Sequence, residues 1–204
     1  MGIGPDIAEV LGELGTLVNI IKHDGSDATQ EYIDYEVQIE ANSPFLTQFM
    51  LDCTLVYNTA ALPGDIIQFV DDGVYHLLSV AVKPRFEQDV VTVEGVLYRC
   101  NMTGLFTRRS ESRNDDYELV VSWEAIGTTE PVLLTGLIDY YDIKDREYAQ
   151  YSVPQDNLHV SGDMGVAVGD RFTNTAGEKY QIKAIAPYRL NNIDICRVVP
   201  DTRE

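Results

Sequence analysis

Three histidines, His23, His76 and His159, and three cysteines, Cys53, Cys100 and Cys196, are the chain's candidate metal ligands and nucleophiles. They stand apart. No CxxC and no local His/Cys pair brings two of them together, so the spacing gives a zinc site no support. The odd cysteine count argues against a disulfide framework and for assembly in a reducing compartment. Cys53 and Cys196 lie in strand-like text, where a free thiol behaves as a small apolar residue. The stretch DGSDATQE, Asp24 to Glu31, is a calcium-loop candidate that lacks the alternating Asp/Asn, the central glycine and the closing bidentate Glu. It reads as a hairpin tip. GIGPD, at the start, follows no strand and contains no Gly-Lys-Ser/Thr, so it cradles no phosphate. No GxSxG elbow occurs. Carboxylate pairs abound only because the chain is acidic, and a single tryptophan offers little surface for stacking sugars. These residues predict no enzyme, no metal and no cofactor.

The elements that carry these residues come from a chain of 204 residues with 45% hydrophobic content and a formal charge of −18. That length allows two domains of about 100 residues, each able to bury its own core. Such acidity excludes a basic footprint for nucleic acid, because phosphate binding runs on Lys and Arg. It serves solubility, or forms a surface that repels a polyanion passing close by. No apolar run reaches the roughly 18 residues of a membrane span. The acidic N-terminus does not resemble a secretory signal, and Asp6 occupies the place where a myristoylation motif needs Ser or Thr.

Residues 5–14 predict a short amphipathic helix, with Gly4 as its cap and Ile7, Val10, Leu11 and Leu14 on one stripe. After Gly15 the period becomes two. Ile33, Tyr35, Val37 and Ile39 share one strand face; Leu51, Cys53, Leu55 and Tyr57 share another; Tyr117, Leu119, Val121, Trp123 and Ala125 a third. Short strands with turn residues at close intervals predict an all-β fold, two small β-barrel or sandwich units in tandem. The polar TRRSESRNDD, Thr107 to Asp116, reads as a long hairpin or linker dividing residues 1–106 from 107–204. A second irregular stretch, Tyr140 to Asn157, reads as an excursion loop. Asp139, Asp142, Asp145 and Glu147, with Tyr140, Tyr141, Tyr148 and Tyr151, make it the candidate channel or subunit-contact loop.

One phrase occurs twice. GDIIQFVDDGVYHLLSVAVKPR, Gly64 to Arg85, and GDRFTNTAGEKYQIKAIAPYR, Gly169 to Arg189, both open on Gly-Asp. Gly64-Asp65 aligns with Gly169-Asp170, Gly73 with Gly177, Tyr75 with Tyr180, Val80 with Ile185, and Arg85 with Arg189 near each exit. Gly-Asp supplies a tight turn into a hairpin, and the second glycine allows positive φ at the next turn. The shared offset points to a duplicated β unit.

Each half, with this pattern of Gly-Asp, Gly, Tyr, apolar alternation and Pro near Arg, resembles the head-closure, or head–tail connector, proteins of tailed bacteriophages. GPDIAEVLGELGT and the closing RVVPDTRE are similar in style to phage neck proteins. Family members are usually single small barrels of about half this length, so the duplication departs from the pattern. The resemblance implies a virion protein assembled in the host cytoplasm. It would form a homo-oligomeric ring of six or twelve copies between the portal or adaptor and the tail proteins, lining the channel for DNA ejection. Double-stranded DNA would pass without specific binding, repelled by lumen carboxylates. Alternative readings are a tail-terminator or other tail or baseplate protein, or a monomeric two-domain β binding module.

Overall fold

A computed structural model describes residues 3–22, 26–37, 50–113, 117–136, 156–190 and 192–203. The fold is all-β apart from a short N-terminal helix, and twelve of its strands close into two six-stranded barrels in tandem. The chain divides into two compact units, Met1–Cys100 with Ser161–Asp163 and Tyr188–Ile193, and Asn101–Val160 with Met164–Pro187 and Asp194–Glu204.

Helix α1 spans Ile3–Leu14. It starts ahead of Pro5 because Gly4 is inside it and buried, where a Cβ would come within 3.0 Å of the Tyr57 ring. Leu11 is buried and Ile7 half-buried, while Val10 and Leu14 of the same stripe remain exposed. The Gly15 amide closes the helix by donating to the Leu11 carbonyl at 2.8 Å.

The first barrel contains β1 (Thr16–Ile21), β2 (Thr29–Val37), β3 (Met50–Val56), β4 (Ile66–Phe69) and β5 (Tyr75–Val82). After a small ribbon of β6 (Arg85–Phe86) and β7 (Asp89–Val90), β8 (Thr92–Arg99) completes it. The strands are antiparallel in the order β1-β2-β3-β8-β5-β4, and β4 pairs back onto β1. Val18, Ile20, Ile33, Leu55, Ile67, Leu78, Val93 and Leu97 fill its interior. Full burial of each such side chain stabilises by about 1.5–3 kcal/mol.

The second barrel contains β9 (Met102–Arg113), β10 (Leu119–Gly136), β11 (Asp156–Ser161), β12 (Arg171–Asn174), β13 (Lys179–Leu190) and β14 (Ile193–Pro200). Read around the barrel from β9, its order is β9-β10-β11-β14-β13-β12, which matches β1-β2-β3-β8-β5-β4 strand for strand. Phe106 and Phe172 lie at the centre, ring centroids 4.9 Å apart, among Val132, Leu158, Val160, Ile182, Cys196 and Val198. Gly104 leaves them room: a Cβ there would stand 2.4 Å from the Thr173 carbonyl oxygen and 2.6 Å from the Phe172 ring.

Three expectations change. The compact units part between Cys100 and Asn101, not at the polar stretch. Thr107–Arg113 belongs to β9 and pairs with β10 as far as Leu119, so that stretch is a hairpin within the second unit. Alternation also overstates the core. Ile33 is buried but Tyr35 and Val37 are exposed, and Leu119 and Val121 are exposed too. Period two marks a strand with two unlike faces; it does not say that the apolar one is covered.

Candidate functional site

The repeated phrase builds one corner twice. Gly64 and Gly169 both have φ +97°, a conformation that favours glycine. Their amides donate across the hairpin to the carbonyls of Leu78 at 2.8 Å and Ile182 at 2.9 Å. The next residues, Asp65 and Asp170, are buried. Each carboxylate accepts the amide three residues back, from Leu62 at 2.8 Å and from Ala167 at 2.7 Å. Each also holds a cation: Lys22 Nζ at 2.9 Å from Asp65, and the Arg108 guanidinium at 3.0 and 2.8 Å from the two oxygens of Asp170.

The ladders make those cations equivalent. Ile20 and Ile21 pair with Ile67 and Ile66, just as Phe106 and Thr107 pair with Phe172 and Arg171. Lys22 and Arg108 are the next residues along. The Asp partners were legible in the sequence but the cations were not. Their signal is the apolar run ending in a base, VNIIK at 18–22 and GLFTR at 104–108.

The hairpin ladders place Tyr180 differently from the sequence alignment. Ile67 pairs with His76, and its counterpart Phe172 pairs with Tyr180. Tyr180 therefore matches His76, not Tyr75, because the turn in the first hairpin is one residue longer: Phe69 bonds to Val74, but Asn174 to Glu178. Gly73 and Gly177 both keep positive φ in that turn, at 70° and 86°. The two exits also differ. Arg85 lies in the β6–β7 ribbon and donates to the Gln88 carbonyl at 3.1 Å, whereas Arg189 continues β13. Asp139, Tyr140, Tyr141, Asp142, Asp145, Glu147, Tyr148 and Tyr151 lie outside the described residues, as does His23.

The second corner carries additional ties. Arg171 donates to Asp201 at 2.7 Å and lies with its guanidinium 3.6 Å over the Trp123 ring. Arg203 bonds to both Asp201 oxygens at 2.8 Å and to the Gly169 carbonyl at 3.2 Å. Burial alone would raise the Asp201 pKa, but hydrogen bonds from Arg203 and Arg171 outweigh it and hold the carboxyl well below the usual range. The closing PDTR segment is thereby fastened to the corner.

Beyond that root the β9–β10 hairpin projects. Past Thr107, β9 pairs with β10 alone among the described strands. One face of this ribbon bears Leu119, Val121 and Trp123 opposite Arg113, Glu111 and Arg109. Leu119 is 60% and Val121 39% exposed. Among the described residues the first barrel shows no such extension, β1 ending at Ile21.

The first barrel has instead a groove of about 620 Å³ across β2, β3, β8 and β5. Two cross-strand rows line it: Glu36, Asp52, Val96, Val80, and Asp34, Thr54, Glu94, Val82. A bulge at Ser79, buried and bonded to the Val96 carbonyl at 3.0 Å, turns Val80 and Val82 outward. No Lys or Arg is among the lining residues.

For covalent chemistry the described residues offer little. Burial pushes the thiols of Cys53, Cys100 and Cys196 up to about 12, which leaves them protonated near neutrality. Burial likewise lowers His76 and His159 to about 4, so both are neutral imidazoles. Among the described residues no three His, Cys, Asp or Glu side chains gather closely enough to hold a metal ion. No described helix is long and apolar enough to cross a membrane.

No family model and no curated protein matches the chain. Among solved structures, the chain is similar to the solution structure of protein SF1141 from Shigella flexneri 2a. The likeness covers 52% of this chain and 96% of that one, at 13% identity and a TM-score of 0.42.

Proposed function

We propose that this chain is a structural protein of a tailed-bacteriophage neck. Six or twelve copies form a ring that joins the portal or adaptor to tail proteins and surrounds the path of ejected DNA. The reading starts from the resemblance of each Gly-Asp half to head-closure proteins. The observation that carries it is the duplication itself: two closed barrels of one strand order, each braced at the same Gly-Asp corner by an equivalent cation. Closed barrels offer no free sheet edge. Contacts between copies then fall to what protrudes or is hollowed, which here means the ribbon, the exposed stripe of α1 and the groove.

The charge of −18 supports a channel role. Carboxylates near a passing duplex repel its phosphates, so DNA slides without deep electrostatic traps; the effect weakens beyond about 8–10 Å at physiological salt. The role needs no cofactor and no active site, and the buried, protonated thiols suit it. The groove favours a second reading, a two-domain β module that takes up a cationic segment of another protein. A tail-terminator or baseplate station differs from the first reading only in position.

Native mass by light scattering, with negative-stain images, separates the two. Closed rings of six or twelve copies are expected. A monomer that stays monomeric when mixed with portal rings would sink the neck reading and leave the binding module.

A further inference from the structure

Asp170 and Arg171 are consecutive, and they grip opposite faces of the β9–β10 ribbon at its root. Arg108 and Trp123 lie on those two faces, since Arg108 pairs with Glu124 and Trp123 with Arg109. On one face Asp170 accepts two hydrogen bonds from Arg108, which also donates to the Gly165 carbonyl at 2.8 Å. On the other, the Arg171 guanidinium lies 3.6 Å over the Trp123 ring and that of Arg203 lies 5.0 Å over it. An isolated two-stranded hairpin is marginal in water, so the order and direction of this one depend on its root.

The two grips are held differently. Arg108 is tied directly by Asp170, whereas Arg171 is held from behind by the segment that follows β14. Its Nε donates to Asp201 at 2.7 Å and its Nη2 to the Arg203 carbonyl. The segment has fastenings of its own. The Asp201 amide donates to the Lys179 carbonyl at 2.8 Å, and the Arg203 guanidinium donates to Asp201 and to the Gly169 carbonyl. The Arg171 and Asp201 side chains are 5% and 1% exposed, so solvent screens their pair little. A guanidinium fixed at its edge by a carboxylate keeps its flat face free to stack on an aromatic ring.

The first repeat shows what this arginine replaces. Ile66 stands at its place, paired with Ile21 as Arg171 is paired with Thr107, and packs against Leu77 in an apolar cluster. There, among the described residues, β1 ends at Ile21 and leaves no ribbon to hold. The arginine accompanies the ribbon.

We infer that Asp201–Arg203 is a latch on the β9–β10 ribbon. Closed, it holds Arg171 against Trp123 and fixes the direction in which Leu119 and Val121 are presented. A partner that draws the segment away leaves the ribbon gripped on one face only, free to swing on the Arg108–Asp170 pair. The inference goes beyond the ring reading and does not rest on it, since every residue it uses belongs to one compact unit.

The test is amide hydrogen exchange on the full chain, read together with the emission of Trp123, the chain's one tryptophan. Asp201→Asn opens the latch. Ribbon amides within Arg108–Arg113 and Leu119–Glu124 should then exchange roughly tenfold faster, the size expected for losing one desolvated cation–π contact. The emission should shift to the red as water reaches the indole. Arg171→Lys keeps a charge for Asp201 but gives up the flat stacking surface, and should quicken the same amides. Leu158→Ala opens a cavity elsewhere in the same barrel and controls for a general loss of stability; it should leave the ribbon rates as in wild type. If Asp201→Asn does not fold, Arg203→Ala, whose side chain is 30% exposed, takes its place with a smaller gain. Ribbon rates unchanged in the latch variants, or raised as much by Leu158→Ala, would overturn the inference.

Discussion

Asp65 and Asp170 occupy the same post in the two barrels, but their cations are covered unequally: the Lys22 side chain is 10% exposed and that of Arg108 49%. Lys22 also donates to the Ala60 carbonyl, which fixes it in the interior.

Removing each carboxylate should therefore cost different amounts. Asp65→Ala leaves an ammonium buried without its counter-ion and should destabilise by about 3–5 kcal/mol. Asp170→Ala leaves a guanidinium that can turn to water, so about 1–3 kcal/mol is expected from the lost hydrogen bonds. Urea unfolding of the two variants checks the order; equal losses would show that exposure of the cation does not matter.

Acid should weaken the fold in two successive windows. Free imidazole titrates near 6.5, but His76 and His159 are lowered to about 4. Between those values the unfolded chain binds more protons, so stability is full above 6.5 and falls as pH drops toward 4. The slope is about 1.4 kcal/mol per pH unit per histidine. Asp201, held well below the ordinary carboxyl value of about 3.9, adds stability that is present above that pH and lost as pH falls beneath it. Melting temperature should stay level from pH 8 to about pH 6.5 and decline from there toward pH 3. Replacing His159 by Phe should roughly halve the slope of the upper window, because His76 still titrates there, and leave the lower window unchanged.

Two glycines should tolerate alanine badly for different reasons. At Gly169 nothing stands within 4 Å of a new Cβ, so the cost is the positive φ alone, about 1–2 kcal/mol. At Gly104 the Cβ strikes the Thr173 carbonyl and the Phe172 ring, and overpacking should cost about 1–3 kcal/mol or more. Calorimetry of G169A and G104A measures both, and repacking of Phe172 in a structure of G104A identifies the second mechanism.

Thiol chemistry should report unfolding. With Cys53, Cys100 and Cys196 all pushed up to about 12, a disulfide reagent at pH 8 should react only as fast as the barrels open. In denaturant all three should react at once. Rapid labelling of the native chain would show that the barrels open far more readily than their packing implies.

The barrels were legible because turn residues bound short alternating runs, and Gly64-Asp65 and Gly169-Asp170 needed only local chemistry to be recognised. The salt bridges at those corners were not, since Lys22 and Asp65 meet across strands far apart in the sequence. The hairpin at Thr107–Asp116 was legible but could not be told from a linker, for the opposite reason: Arg108, Arg109, Ser110, Glu111, Ser112 and Arg113 put polar residues on both faces, which erases the period-two contrast. The groove was invisible because its rows come from four strands and its outward valines depend on a bulge at Ser79.

Strand β14 is made last of the described strands, yet it lies between β11 and β13 in the second barrel. All strands of the first barrel precede Cys100, so that barrel can close on the ribosome while the rest is still being translated. The second must wait for Ile193–Pro200. At roughly 5–20 residues per second, the β9–β10 hairpin spends on the order of ten seconds as a nascent arm without its barrel. The charges spread along it, Arg108, Arg109, Glu111, Arg113 and Glu118, then act as gatekeepers, keeping its open edges from pairing with the arm of a neighbouring nascent chain.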